Sequence, residues 1–166
     1  MRNVKRSRSR SVLAGAIAVA IVSLASTAAA DFTADFPAGL ACTFNLRIEC
    51  HGGNQIERDF PDKNGNLVRS ISAGTGSALT FTNLDTGATL SLGSNGAVTN
   101  ITYHSDGSST FVTTGHNVLI LFPTDVPAGP STTLYVGRVV FTVDSSGTFT
   151  LQGHSGQATD ICAALS

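Results

Sequence analysis

The clearest pattern in the chain is a strict alternation of apolar and polar residues over residues 42–50. The apolar positions are Cys42, Phe44, Leu46, Ile48 and Cys50, and the residues between them are polar. A period of two is typical of a half-buried β-strand, because successive side chains point to opposite faces. The pattern therefore predicts one continuous strand with both cysteines on its buried face.

Short runs rich in Thr, Val, Ile and Phe recur through the rest of the chain. Turn sequences containing Asn-Gly, Asp-Gly, Thr-Gly or Ser-Gly separate them, and each glycine supplies the positive φ of a tight hairpin. No segment after residue 30 shows a convincing period of 3.6. These features predict an all-β fold, a single antiparallel, meander-rich domain of about nine or ten strands, either a sandwich or an up-and-down barrel. After the first strand, the predicted strands are Ile56–Phe60, Leu67–Ile71, Leu79–Asn83, Thr89–Leu92, Val98–Tyr103, Thr110–Thr113, Val118–Phe122, Thr133–Val143 and Thr148–Gln152.

The most apolar of these runs, Val118–Phe122, leads into the segment richest in proline. The run is apolar on both sides of the pleat, which predicts a central strand, either covered on both faces or at a barrel mouth. Three of the five prolines follow it, so the connection is stiff and extended. It is either a crossover between sheets whose prolines prevent edge pairing, or a preorganised binding loop that saves ordering entropy on association. The loop residues are Asp125, Val126, Pro127, Ala128, Gly129, Pro130 and Ser131.

Residues 1–30 have the layout of a secretory signal peptide. A positive segment, Met1–Arg10, precedes the apolar run Val12–Leu24, and small residues follow at Ala28–Ala30. This arrangement predicts cleavage after Ala30 and a secreted protein that begins at Asp31. Residues 31–41 would be a short extension before one domain over residues 42–166.

The alternative is that the amino-terminal segment stays uncleaved as a membrane anchor. Ser11–Ala30 is nominally long enough to span a bilayer. The second half of that segment consists of Ser, Thr and Ala rather than Leu and Ile, which favours cleavage.

The charge of the chain is divided unequally between these two parts. Five of the ten cations fall in residues 1–30, which leaves five cations against all eleven acids and a formal charge of −6 for residues 31–166. An acidic domain argues against binding to a nucleic-acid backbone, and against docking by charge on an anionic membrane after signal cleavage. The remaining length suits one domain with a real core.

Three cysteines in an exported chain predict one disulfide. Cys42 and Cys50 are eight residues apart, which puts their α-carbons about 26 Å apart on a continuous strand, whereas a disulfide needs about 4.4–6.8 Å. One of them should therefore pair with Cys162. Cys42–Cys162 is favoured because it closes the longest loop, leaving Cys50 as a buried thiol. A Cys50–Cys162 bond and an intermolecular bond stay open as alternatives.

Candidate catalytic chemistry is sparse. His104 and Asp106 form the tightest pair of titratable residues, and His116 follows the next predicted strand. A small secreted hydrolase or metal-dependent enzyme would have to use these three residues. None of the common nucleophile or phosphate-loop motifs occurs in the chain, and the sequence predicts no cofactor.

The residues 115–138 (GHNVLILFPTDVPAGPSTTLYVGR) and the ending 159–166 (TDICAALS) resemble a family of short exported actinobacterial proteins that has no assigned activity. The resemblance extends over residues 42–166. It implies export and one compact domain, and it transfers no site or substrate. The favoured hypothesis is a secreted, non-enzymatic β domain that binds an extracellular protein or a small ligand, through loops such as 125–131.

Overall fold

The computed structural model describes residues 31–166, which form two antiparallel sheets. One sheet has four strands in the order β1-β2-β5-β6, and the other has six in the order β10-β9-β8-β7-β4-β3. The all-β prediction is confirmed, and the sandwich alternative is the one that holds. The predicted signal peptide lies outside the described residues. The strands are β1 Phe32–Phe36, β2 Leu46–His51, β3 Asn54–Pro61, β4 Leu67–Thr75, β5 Ala78–Asn83, β6 Thr89–Leu92, β7 Gly96–Tyr103, β8 Ser109–Leu121, β9 Ser131–Val143 and β10 Phe149–Asp160.

The four-stranded sheet departs from the sequence expectation at its beginning. Burial alternates from Cys42 to Cys50 as predicted, but the hydrogen-bonded strand β2 begins only at Leu46. The residues before it bend away, so the prediction of one continuous strand is wrong. Residues 32–36, expected to be part of an extension, form β1 and pair with β2.

The six-stranded sheet is built mainly from hairpins. The predicted strands Thr110–Thr113 and Val118–Phe122 belong to a single strand of 13 residues, β8. It lies between β7 and β9, which confirms the predicted central position. The proline-rich segment joins β8 to β9, and the two strands pair from Leu121 opposite Ser131 onward. The segment is therefore a hairpin connection within one sheet, and the crossover interpretation is wrong.

The main core lies between the two sheets. Phe81, Leu46 and other buried side chains of the four-stranded sheet pack against Val118, Ile120 and Leu134 of the six-stranded sheet. A four-residue helix, α1 (Ile161–Ala164), closes one side of this core. Sequence periodicity does not detect a helix this short.

The disulfide joins Cys42 to Cys162, with their α-carbons 5.6 Å apart. The favoured pairing is confirmed, and Cys50 is a buried free cysteine. The Cys42 residue is fully buried in the core, and α1 carries Cys162. The bond therefore fixes the carboxyl-terminal helix to the segment that precedes β2. Within residues 31–166, no helix is long and apolar enough to cross a membrane.

A line of glycines crosses the six-stranded sheet, which the sequence analysis did not anticipate. Gly74, Gly115, Gly137 and Gly156 lie at matching register positions, with Ala97 between the first two. All four have positive φ, and a Cβ on any of them would overlap a carbonyl oxygen of the neighbouring strand. Because glycine has no Cβ, the neighbouring strands can approach closely at these positions, and the sheet can bend along this row, called the glycine line.

Ring contacts show the direction of the bend. Tyr135 and His154 lie on opposite sides of the Gly137–Gly156 pair, so in a flat sheet they would be about 13 Å apart along the strands. Their ring centroids are 4.9 Å apart. The sheet therefore folds toward these two side chains. Residues 56–61, 67–73, 98–103, 109–114, 138–143 and 149–155, which lie beyond the glycine line, are called the outer half of the sheet.

Candidate functional site

A cavity of about 530 Å³ lies between the two sheets. Leu79 and Leu92 of the four-stranded sheet and Val118 and Leu134 of the six-stranded sheet form its apolar walls, together with Cys50. Its volume is within the range of ligand-binding pockets, about 300–1,000 Å³. The same apolar side chains border the main core, so the cavity extends that core toward the surface, where Gln55, Ser91, Asn95 and His116 are exposed.

The polar part of the lining carries hydrogen-bonding groups but little charge. It consists of Gln55, Ser77, Ser91, Asn95 and His116. No Asp, Glu, Lys or Arg is among the lining residues that the structure describes. Buried charges must be paired, whereas neutral polar groups need only hydrogen bonds. The lining therefore suits an uncharged molecule with an apolar body and one or two polar groups.

Three connections between the sheets meet beside the cavity, and two of them line it with Gly76, Ser77, Gly93 and Asn95. They join β2 to β3, β4 to β5 and β6 to β7, and each carries the chain from one sheet to the other. Hydrogen bonds tie them together: the Ser77 hydroxyl donates to Gly52 O at 2.8 Å, and Gly76 N donates to Asn95 O at 2.8 Å. The Ser94 hydroxyl also donates to Gly76 O. This wall is therefore ordered by hydrogen bonds among its own backbone and serine side chains.

Sequence reasoning missed this site. The glycines and serines in these three connections were interpreted only as turn residues. Their meeting point depends on where the chain changes sheets, and no local pattern encodes that.

Cys50 contributes a thiol to the cavity wall. It is 7% exposed, and burial raises the pKa of the thiol above its ordinary value. A raised pKa keeps the sulfur protonated at neutral pH, and a protonated thiol is a poor nucleophile and metal ligand. Cys50 therefore acts here as an apolar wall group.

The three residues predicted for an enzymatic site are not brought together. His104 Nε2 lies 2.8 Å from the Thr110 hydroxyl, near a smaller cavity of about 310 Å³. Asp106 accepts from Ser108 N and Oγ, which lowers the pKa of the carboxyl. His116 lies on the other side of the glycine line, at the main cavity. Within residues 31–166, no group of three His, Cys, Asp or Glu side chains is arranged to hold a metal ion.

The proline-rich loop is anchored to the sheet at its middle. The buried Asp125 carboxylate accepts from Phe122 N at 2.6 Å and from Phe149 N at 3.3 Å. The next residue, Val126, donates to Phe149 O and accepts from Leu151 N. The loop thus links the carboxyl-terminal end of β8 to the start of β10, on the other side of the bend. Of the residues predicted to bind a partner, Val126, Pro127 and Ala128 remain exposed.

Comparison with known proteins found no matching family model, no similar curated protein and no similar solved structure. The resemblance to an exported actinobacterial family therefore stays a prediction.

Proposed function

We propose that the protein is a secreted, non-enzymatic binding domain that holds a small, uncharged, largely apolar molecule between its two sheets. The observation that carries the proposal is the cavity of about 530 Å³ with apolar walls and neutral polar groups on one side. Such a lining binds by shape, burial of apolar area and a few hydrogen bonds.

The geometry favours binding over catalysis. General acid-base chemistry needs a positioned group. The cavity lining holds one histidine, His116, with no Asp or Glu among the described lining residues to position it, and burial raises the pKa of the Cys50 thiol. The histidine and carboxylate proposed for an enzyme, His104 and Asp106, have local partners at a turn. These arrangements support a module that holds a ligand without transforming it.

Export is part of the proposal. A disulfide forms and persists in oxidising compartments, and the Cys42–Cys162 bond closes a sequence separation of 120. Together with the signal-like pattern of residues 1–30, this favours a secreted protein. Amino-terminal sequencing of material recovered from culture medium should find Asp31 first. Recovery only from membranes, with residues 1–30 intact, would contradict export.

Ligand binding can be tested with the neutral fluorescent probe N-phenyl-1-naphthylamine. The probe should gain fluorescence on binding, and Val118→Trp, which fills the cavity from β8, should weaken binding by about tenfold or more, or about 1.4 kcal/mol. The matched control is Val98→Trp, at an exposed position on β7, which should leave the affinity unchanged.

Cys50 provides a second readout that needs no substitution. It is the free thiol of the described residues, so bound probe should slow its reaction with N-ethylmaleimide. No fluorescence gain, or equal effects of the two tryptophan variants, would refute the proposed site.

A further inference from the structure

Within residues 31–166, nothing covers one face of the outer half of the six-stranded sheet. Register places Ile56, Ala73, Val98, Thr114 and Arg138 in one row across five strands. None of these residues is buried, and Ile56 is 64% exposed. On the other side of the glycine line, the same face of β8 and β9 is covered by the four-stranded sheet through Val118 and Leu134. The covering sheet stops short of the outer half.

This face concentrates the positive charge of the domain. We call it the basic face, formed by Ile56, Arg58, Arg69, Ile71, Val98 and Arg138. It holds three of the five cations of residues 31–166 and none of the eleven acids, since the acids of β3 lie on the opposite side of the strand. None of the three arginines is in an ion pair with a described residue. The Arg69 guanidinium lies 4.4 Å from the Phe60 ring centroid, which leaves its charge available to a partner.

The remaining cations are placed elsewhere. Arg47 is bonded to Asp35 at 2.7 Å in the four-stranded sheet, and Lys63 lies in the turn after β3. Outside the basic face, residues 31–166 therefore contain eleven acids and only two cations. A broad anionic surface would contact these acids, which repel it, as well as the arginines. A narrow anionic partner would meet the arginines alone.

The spacing of the arginines fits an extended chain. Arg58 and Arg69 lie diagonally on the neighbouring strands β3 and β4, offset by two residues along the strands. Arg138, on β9, is four strands away from β3. At about 4.8 Å per strand this is about 19 Å, the length of about six extended residues. The exposed side chain of Val98, on β7, lies between the arginines of β3 and β4 and that of β9, and exposed Ile56 lies beside Arg58 on β3; both favour aliphatic contacts.

We propose that the basic face binds an extended acidic segment of a partner protein, with aliphatic residues between its carboxylates. Guanidinium groups pair with carboxylates in a planar, two-bond geometry, and the exposed Ile56 and Val98 side chains offer apolar contacts on the same face. This inference is independent of the cavity, which lies on the other side of the glycine line.

The test uses a fluorescein-labelled decapeptide of alternating Glu and Val with the secreted protein, followed by anisotropy. Arg58→Gln, Arg69→Gln and Arg138→Gln should each weaken binding about two- to fivefold, as expected for exposed ion pairs. Lys63→Gln removes the same charge away from the basic face and should leave binding within about twofold. Binding should weaken with salt, and a Lys-Val peptide should not bind.

Three results would overturn the proposal. One is no binding of the Glu-Val peptide at low salt, and another is an equal loss in the Lys63→Gln and arginine variants. The third is arginine-dependent binding to phosphatidylglycerol vesicles that exceeds binding to the peptide, which would assign the basic face to a membrane. None of these results bears on probe binding in the cavity.

Discussion

Replacing Gly115 by alanine tests whether the glycine line is required for the bend. Gly115 has φ of +98°, and a Cβ there would overlap the carbonyl oxygen of Gly96 on β7. Holding a non-glycine residue at positive φ costs about 1–2 kcal/mol. Forcing the two strands apart to admit the methyl group costs about 1–3 kcal/mol more. The free energy of unfolding should therefore fall by about 2–5 kcal/mol, a large share of the stability of a domain this size.

Two other glycines separate the two contributions. Gly147, at φ of +89°, has nothing within 4 Å of a built Cβ, so Gly147→Ala should lose only the conformational part, about 1–2 kcal/mol. Gly153, on β10, has neither a positive φ nor a close neighbour, so Gly153→Ala should change stability by less than about 0.5 kcal/mol.

Urea unfolding of the three variants, followed by far-ultraviolet circular dichroism, measures these differences. The midpoint should shift in the order Gly115, Gly147, Gly153, at a common slope. If Gly115→Ala lost no more stability than Gly147→Ala, the strands at Gly115 and Gly96 would have room for a side chain. The claim that the bend requires glycine at this position would then fail.

Two further predictions concern the cysteines and the pH dependence. Cys162→Ser should lower the free energy of unfolding by about 2–5 kcal/mol, because it opens the long loop to Cys42. Cys50→Ser should lower it by about 1 kcal/mol, because it leaves a poorly paired buried hydroxyl. Urea titration and non-reducing peptide mapping check both, and a mapped bond to Cys50 would contradict them. Hydrogen bonds within their turns lower the pKa values of Asp106 and Asp144 from the ordinary value of 3.8. Their contribution to stability is therefore fully present above that pH and is lost as the pH falls below it. Asp106→Asn and Asp144→Asn should each reduce the fall in the urea midpoint between pH 6 and pH 3, and an unchanged fall would refute this origin.

Much of the fold follows from patterns that are local in the chain. Alternating burial from Cys42 to Cys50, the glycine turns and the apolar run at Val118 were sufficient to predict strands, hairpins and an all-β domain. The Cys42–Cys162 pairing was also predicted correctly, although the strand that the prediction assumed to be continuous from Cys42 to Cys50 begins only at Leu46.

Features that depend on register between strands were not accessible from the sequence. Gly74, Gly115, Gly137 and Gly156 are about 20 to 40 residues apart in sequence and align only after the strands have paired. Register is determined by packing across the whole sheet, because a slip of one residue reverses every side chain. In sequence each of these glycines looks like a turn or a weak point in a strand.

The cavity and the basic face have the same non-local origin. Val118 is an apolar strand residue in any interpretation of the sequence, and only the three crossings between sheets turn its surroundings into a cavity wall. Arg58 and Arg138 are 80 residues apart in sequence and share a face because β3 and β9 belong to one bent sheet. The sequence determined which segments become strands, since alternation and turn chemistry act within a few residues. The tertiary structure alone decided which surfaces those strands build together, since strand order and register arise from contacts between distant segments.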